Sequence, residues 1–194
     1  MNINIKRLDS VAKLPSRGSS CAAGYDLYSV NVKEIDIAPH STIKIGTGLA
    51  MEIPDGYFGA IFARSGLAAK KGLRPANCVG VIDSDYRGEI IVALHNDTDE
   101  FMTVFPQDRI AQLVIMPYLE VDFTEESLLA IAKEAKQNKI GARALRSMLT
   151  KILADAMYDI PKQKDITKIT INGDMKCVYD RKEPQQEEQE NALN

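Results

Sequence analysis

Between Asn77 and Ile90 the chain reads NCVGVIDSDYRGEI, an apolar alternation that gives way, from Asp83 to Gly88, to two carboxylates, a phenol, a guanidinium and a glycine. Alternation turns Val79, Val81 and Ile82 toward a core, and the following turn ejects Asp83, Asp85, Tyr86 and Arg87. Taken alone, this is a surface hairpin rich in Asp and Gly, with Asp85 and Arg87 free to pair. Three other segments add to it. ARSGLAAKKG (63–72) sets an arginine, a hydroxyl and a glycine on a turn that can offer a guanidinium, an Oγ and backbone N–H groups to one anion. PQDRIAQLVI (106–115) carries another arginine and an amide, and AAGYDLYS (22–29) another aspartate. Arginine pairs with phosphate and carboxylate attracts a divalent cation, so four such motifs on one scaffold point to a phosphorylated ligand with a bound metal.

These groups need a frame to aim them. Ten of the twelve glycines fall between Gly18 and Gly88. Up to about Pro117, short runs such as VNVKEIDIA, TIKIGTGLAMEI, YFGAIFA, EIIVALHN, EFMTVF and RIAQLVIM are separated by turn residues, among them Pro39, Pro54-Asp55-Gly56, Gly72 and Pro106. Short β-rich runs at this spacing predict a mainly β barrel or sandwich. After Asp122 the period lengthens. Thr124 is the expected N-cap of a helix, with Glu125 and Glu126 near its positive end and Leu128, Leu129, Ile131, Ala132 and Ala135 on one side. Leu145, Met148, Leu149, Ile152, Leu153 and Ala156 trace a second helix that Pro161 closes. ITKITI, Asn172-Gly173 and MKCVY predict a hairpin with a two-residue turn, and RKEPQQEEQENALN predicts disorder. A helix pair with no further packing partner would leave part of its apolar stripe exposed.

With 194 residues, 45% hydrophobic and 26% charged, the chain has the makeup of a soluble globular protein. A net charge of −3 gives no global basic field for nucleic acid or an anionic membrane, so any anion site must be local. No apolar run approaches the ~20 residues of a membrane span, and the N-terminus lacks the apolar core of a signal peptide. Cys21, Cys78 and Cys177 are scattered and odd in number, which suits free thiols in a reducing compartment; the expected address is the cytoplasm. Cys78 is expected to be a small buried hydrophobe, and isolated His40 and His95 receive no role.

In this order, AAGYDLYS, ARSGLAAKKG, the N-x-V-G-V-I-D-S-D-Y-R-G-E stretch and PQDRIAQ resemble the first four motifs of the homotrimeric dUTPase family, over residues 2–117. The resemblance implies a distorted β jelly roll, trimeric, with active sites at subunit contacts. It implies hydrolysis of dUTP to dUMP and pyrophosphate with magnesium. Asp83 would be the general base for water attacking the α-phosphorus. Tyr86 would lie against the deoxyribose and exclude a 2′-hydroxyl. Asn77, with backbone at Gly80 and Ile82, would read the uracil edge. Arg64, Ser65 and Gly66 would hold phosphates, Gln112 would reach the α-phosphate, and Asp26 would meet magnesium through water. Gln107 stands where the family usually has glycine, so a positive φ there would strain the turn. The family's glycine-rich fifth motif has no counterpart beyond Pro117, which leads to an expectation of reduced turnover.

In its place, VDFTEESLLAIAKEAKQNKIGARALRSMLTKILADAMYDIP resembles part of the C-terminal small domain of the AAA+ unfoldase ClpX. That family's ATP-sensing arginine maps to Arg143, but no phosphate-binding loop accompanies it, so Arg143 is expected to be a surface residue. The organisation expected is a dUTPase-like β domain over 1–118, a partial ClpX-like α/β appendage of two helices and a hairpin over 119–180, and a polar tail over 181–194. The alternative function is a non-catalytic deoxyuridine-nucleotide binder, or a protein that contacts an AAA+ unfoldase.

Overall fold

The computed structural model describes residues 2–137, 142–160, 163 and 165–181, and the chain divides into two compact units, Met1–Tyr118 and Leu119–Asn194. In the first, the elements are β1 (Asn4–Arg7), β2 (Tyr25–Tyr28), β3 (Ile35–Ile37), β4 (Thr42–Gly46), β5 (Leu49–Glu52), β6 (Tyr57–Phe62), α1 (Ser65–Lys71), β7 (Leu73–Pro75), β8 (Gly80–Ile82), β9 (Ile91–Asn96), β10 (Met102–Val104) and β11 (Arg109–Pro117). Every pairing is antiparallel. A four-stranded sheet in the order β2-β11-β6-β8 and a three-stranded sheet β4-β9-β7 are accompanied by the pairs β1-β5 and β3-β10. One core joins them: Leu27, Ile37, Ile45, Leu49, Ile61, Leu94, Val104 and Leu113 come from eight different strands and are all buried. Side chains of this kind contribute about 1.5–3 kcal/mol each when fully buried, so the pattern of short apolar runs is what closes the sandwich.

β11 is the strand that matters most for placing chemistry. It is nine residues long and pairs on both sides, with Gln112 opposite Asp26 of β2 and opposite Phe62 of β6. Segments more than 80 residues apart in sequence are thereby set side by side.

β8 departs from the sequence reading. The alternation is there, but its register is offset by one: Gly80 is buried and Ile82 half-buried, while Val79 is 44% and Val81 57% exposed. β8 is the edge of its sheet, and a one-residue offset in a strand exchanges its two faces. Cys78 is likewise exposed, its thiol donating to the Pro75 carbonyl at 2.7 Å. Gln107 adopts φ 65°, the left-handed backbone that the sequence pattern warned of, and its Nε2 donates to the Val11 carbonyl at 2.9 Å.

The second unit contains β12 (Glu120–Phe123), α2 (Glu125–Gln137), α3 (Ala142–Asp159), β13 (Ile166–Ile171) and β14 (Cys177–Arg181). Thr124 caps α2, its Oγ1 accepting the Ser127 N–H at 3.2 Å, and backbone N–H and Thr124 contacts hold the Glu126 carboxyl below its ordinary range. The inward residues of α2 are Ser127 and Ile131, so Leu128 and Leu129, expected on the packed side, face solvent. Along α3, Met148, Leu149, Ile152, Leu153 and Ala156 are half-buried or buried, as the helical repeat requires, while Leu145 is exposed. β12 pairs in parallel with β13, adding a third strand to the expected hairpin, and Lys168 ties them through Glu120 and Asp122. The hairpin turn is longer than two residues. The Asn172 side chain accepts the N–H groups of Asp174 and Lys176, and Met175 takes φ 57°. An asparagine that bonds its own following backbone favours this wider turn. Pro161, the side chain of Arg143 and the tail from 182 lie outside the described residues.

Candidate functional site

Asp26 sits in the middle of β2, and its carboxylate is 12% exposed. Arg64 donates Nε to one oxygen at 2.6 Å and Arg109 donates Nη1 to the other at 3.2 Å. The second-motif arginine is therefore fixed by the first-motif aspartate, with Arg109, the arginine of the fourth motif, as a second counter-ion. Arg64 is the N-cap residue of α1, so Ser65 and Gly66 form the first turn of a short helix instead of a free turn. Their N–H groups are among those a helix start leaves unpaired by the helix. A Cβ on Gly66 would meet nothing within 4 Å, so the approach to this backbone is open.

Gln112 lies beside this group. Its Nε2 donates to the Ala63 carbonyl at 2.8 Å, and a Cβ on Gly24 would come within 2.7 Å of its Oε1. The glycine of AAGYD is thus what leaves room for the amide of the fourth motif. A cavity of about 510 Å³ opens here, lined by Gly24, Ala63, Cys78, Val79 and Gln112 among others. All four motif segments reach it. Such a volume is of the size that takes a small polar ligand.

The third motif is held from two directions. At its start, a Cβ on Gly80 would lie 3.1 Å from Asn77 Nδ2, so glycine lets the Asn77 amide fold over the strand. Arg74 braces this loop, donating to Asp97 through Nε at 2.7 Å and Nη2 at 2.9 Å, and reaching the Pro75 carbonyl with Nη1. The Asp97 carboxyl is held below its ordinary value chiefly by that hydrogen bond, and Arg74 is raised by the same partner. At the other end, Tyr86 donates its hydroxyl to the Glu89 carbonyl at 2.9 Å, and its ring passes over Gly88, where a Cβ would meet the hydroxyl at 2.6 Å. Arg87 donates to the carbonyls of Ser84 and Tyr86, so the expected pair with Asp85 is not among the ion pairs of the described residues.

Asp83 faces elsewhere. It lines a separate cavity of about 560 Å³ with Phe58, Val81, Ser84, Asp85 and Tyr118. Ile82 pairs with Gly59 near the start of β6, whereas Arg64 follows the end of that strand. Five or six residues of extended chain at ~3.3 Å each separate them by roughly 15–20 Å. Within one chain, then, Asp26, Arg64 and Gln112 are brought together, Asn77 and Gly80 are brought together, and Asp83 with Tyr86 stands apart from the arginine.

A divalent ion finds no ready-made protein cage here: among the described residues no three His, Cys, Asp or Glu side chains cluster to hold a metal. Both Asp26 oxygens already accept a guanidinium N–H. Magnesium keeps most of its waters and binds through phosphates and few carboxylates, so a site without a carboxylate cage is compatible with such an ion. Among the described residues no helix is long and apolar enough to cross a membrane.

The family model for dUTPase matches residues 10–142, continuing past the first unit into the second. A deoxyuridine 5'-triphosphate nucleotidohydrolase of Desulfitobacterium hafniense is 51% identical over 118 residues, covering 60% of this chain and 78% of that protein. One from Hydrogenobaculum sp. is 42% identical over 130 residues, covering 67% and 90%. Among solved structures, the dUTPase of Staphylococcus bacteriophage 80alpha with dUPNHPP has a TM-score of 0.55 at 28% identity, over 60% of this chain and 83% of that one. The dUTPase from phage phi11 of S. aureus has a TM-score of 0.55 at 26% identity, over 61% and 91%, and a mutant of it is described for the coordination of a structural Mg(II) ion.

Proposed function

Because the chain belongs to the dUTPase family, we infer that it hydrolyses dUTP to dUMP and pyrophosphate, and we propose that each site is shared between neighbouring chains of a homotrimer. The observation that carries the hydrolase reading is the convergence of Asp26, Arg64 and Gln112, from the first, second and fourth segments, beside the Gln112 cavity. The separation of Asp83 from Arg64 supports the sharing: one chain supplies Arg64, Ser65, Gly66, Gln112 and Asp26, and its neighbour supplies Asn77, Gly80, Ile82, Asp83 and Tyr86. Exposed Val81 on the edge strand β8 gives the neighbour an apolar side chain to cover.

The chemistry follows from the groups. Asn77, with the backbone at Gly80 and Ile82, pairs with the uracil edge, and Tyr86 closes the space a 2′-hydroxyl would need. Asp83 takes the proton of a water whose oxygen attacks the α-phosphorus. The bond from that phosphorus to the bridging oxygen breaks, and the electron pair leaves with pyrophosphate. Arg64, the N–H groups at Ser65 and Gly66, and Gln112 offset charge on the phosphate oxygens. Asp26 keeps the Arg64 guanidinium in place and would hold magnesium through water. Magnesium, when bound, neutralises phosphate charge.

For the second unit we propose an appended module resembling the ClpX small domain, with contact to an AAA+ unfoldase read out by co-sedimentation. The free thiols suit a cytoplasmic address.

Subunit complementation tests the shared site. Asp83→Asn and Arg64→Ala chains, each inactive alone, regain activity when mixed and reassembled, because some sites then draw both intact halves. No recovery in a mixed trimer would contradict the proposal.

A further inference from the structure

The loop from Asp83 to Glu89 is tied mostly to itself. Tyr86 N–H donates to the Asp83 carbonyl at 3.2 Å, and Arg87 bonds the carbonyls of Ser84 and Tyr86. Ties of that kind set the shape of a loop without fixing it to the body. Glu89 does the fixing. Its Oε1 accepts the Gly48 N–H at 2.8 Å, across the turn between β4 and β5, while its carbonyl accepts the Tyr86 hydroxyl at 2.9 Å. The turn is fitted to that carboxylate: a Cβ on Gly46 would lie 2.4 Å from Glu89 Oε1, and Gly48 takes φ 64°. Next to it, Ile90 is buried and bonds Leu49 through its N–H and Thr47 through its carbonyl, so Glu89 stands at the last point where the loop joins rigid sheet.

We infer that Glu89 is the positioning residue through which the scaffold holds Tyr86, and with it the discrimination between deoxyribose and ribose. This rests on the reading of Tyr86 as the group that lies against the sugar. A ring that excludes one hydroxyl works only if it cannot retreat, and Tyr86 as a whole is 42% exposed, with the Glu89 carbonyl as the acceptor of its hydroxyl. Losing the Gly48 anchor frees that carbonyl to move, and the ring with it. An anchor that only stabilised the fold would lower the melting temperature and leave sugar selectivity untouched.

The test compares E89A and E89Q with the parent chain, using kcat/KM for dUTP and UTP and, independently of turnover, the ratio of dUMP to UMP dissociation constants by calorimetry. Folding is followed by circular dichroism. Steric rejection of a hydroxyl reaches about 10²-fold, so E89A should lose about tenfold in both ratios, whereas E89Q, which keeps an oxygen for the Gly48 amide, should stay within about twofold. G46A pushes the same carboxylate aside and should reproduce E89A, which guards against a misfolded E89A. Parental ratios in folded E89A or G46A, or an E89Q as unselective as E89A, would overturn the inference. A parent chain that hydrolyses dUTP with no preference over UTP overturns the Tyr86 reading and the inference with it.

Discussion

Replacing Asp26 by asparagine isolates what the aspartate does for Arg64. The carboxylate accepts from Arg64 at 2.6 Å and from Arg109 at 3.2 Å, and is itself 12% exposed. An amide preserves the shape and one acceptor but turns the other oxygen into a donor that meets a guanidinium N–H. One charge-assisted bond, worth about 1.5–3 kcal/mol, is lost. Arg109 is half exposed, so solvent screens part of the loss and about 2 kcal/mol is the expected cost. For a unit of this size that corresponds to a fall of about 8 °C in melting temperature, read by calorimetry. The same variant lowers kcat/KM for dUTP, because Arg64 is no longer held where phosphate is expected. A melt within about 2 °C of the parent would refute the idea that one carboxylate clamps both arginines.

Three further outcomes follow from particular contacts. Gln107→Gly relieves left-handed backbone and removes an Oε1 that has no partner among the described residues, at the cost of the Val11 bond; a gain of about 1 kcal/mol in urea unfolding is expected. Gly24→Ala drives a Cβ to within 2.7 Å of Gln112 Oε1, so kcat/KM for dUTP should fall about tenfold while the melting temperature holds. Asp97 has its carboxyl pKa depressed by Arg74, so its stabilisation is fully present above the ordinary value of 3.8 and fades as pH falls through the lowered one. Asp97→Asn should therefore unfold more easily than the parent at neutral pH, with the gap in urea midpoint shrinking below about pH 4.

Much of this architecture could be read from the sequence because its signals are local. The spacing of apolar runs and turn residues marked the strands β3 to β6 and β9 to β11, and the helical repeat at Met148, Ile152 and Ala156 marked α3. Gln107 announced a left-handed turn because a side chain stood at a glycine position. The failures are non-local. Whether Val79 or Gly80 faces the core depends on how an edge strand registers on β6, which alternation alone does not fix. The strand β12 could not be seen because its partner β13 lies more than 40 residues away. The pairing of Arg109 with Asp26 and the role of Glu89 were missed for the same reason: each matters through a partner far along the chain, Asp26 in one case and Gly48 in the other. The close glycines were the available hint, since Gly24, Gly46, Gly80 and Gly88 each leave room for a neighbouring polar or aromatic group.

The most direct measurement is pyrophosphate release from dUTP, dTTP, dCTP and UTP, with magnesium and with chelator, by the parent chain and by Asp83→Asn. The account predicts magnesium-dependent release from dUTP above the other three, one pyrophosphate for each dUMP formed, and loss of that release in Asp83→Asn with dUMP still bound. A folded, trimeric parent chain that releases no pyrophosphate from dUTP, or an Asp83→Asn chain as fast as the parent, would contradict it.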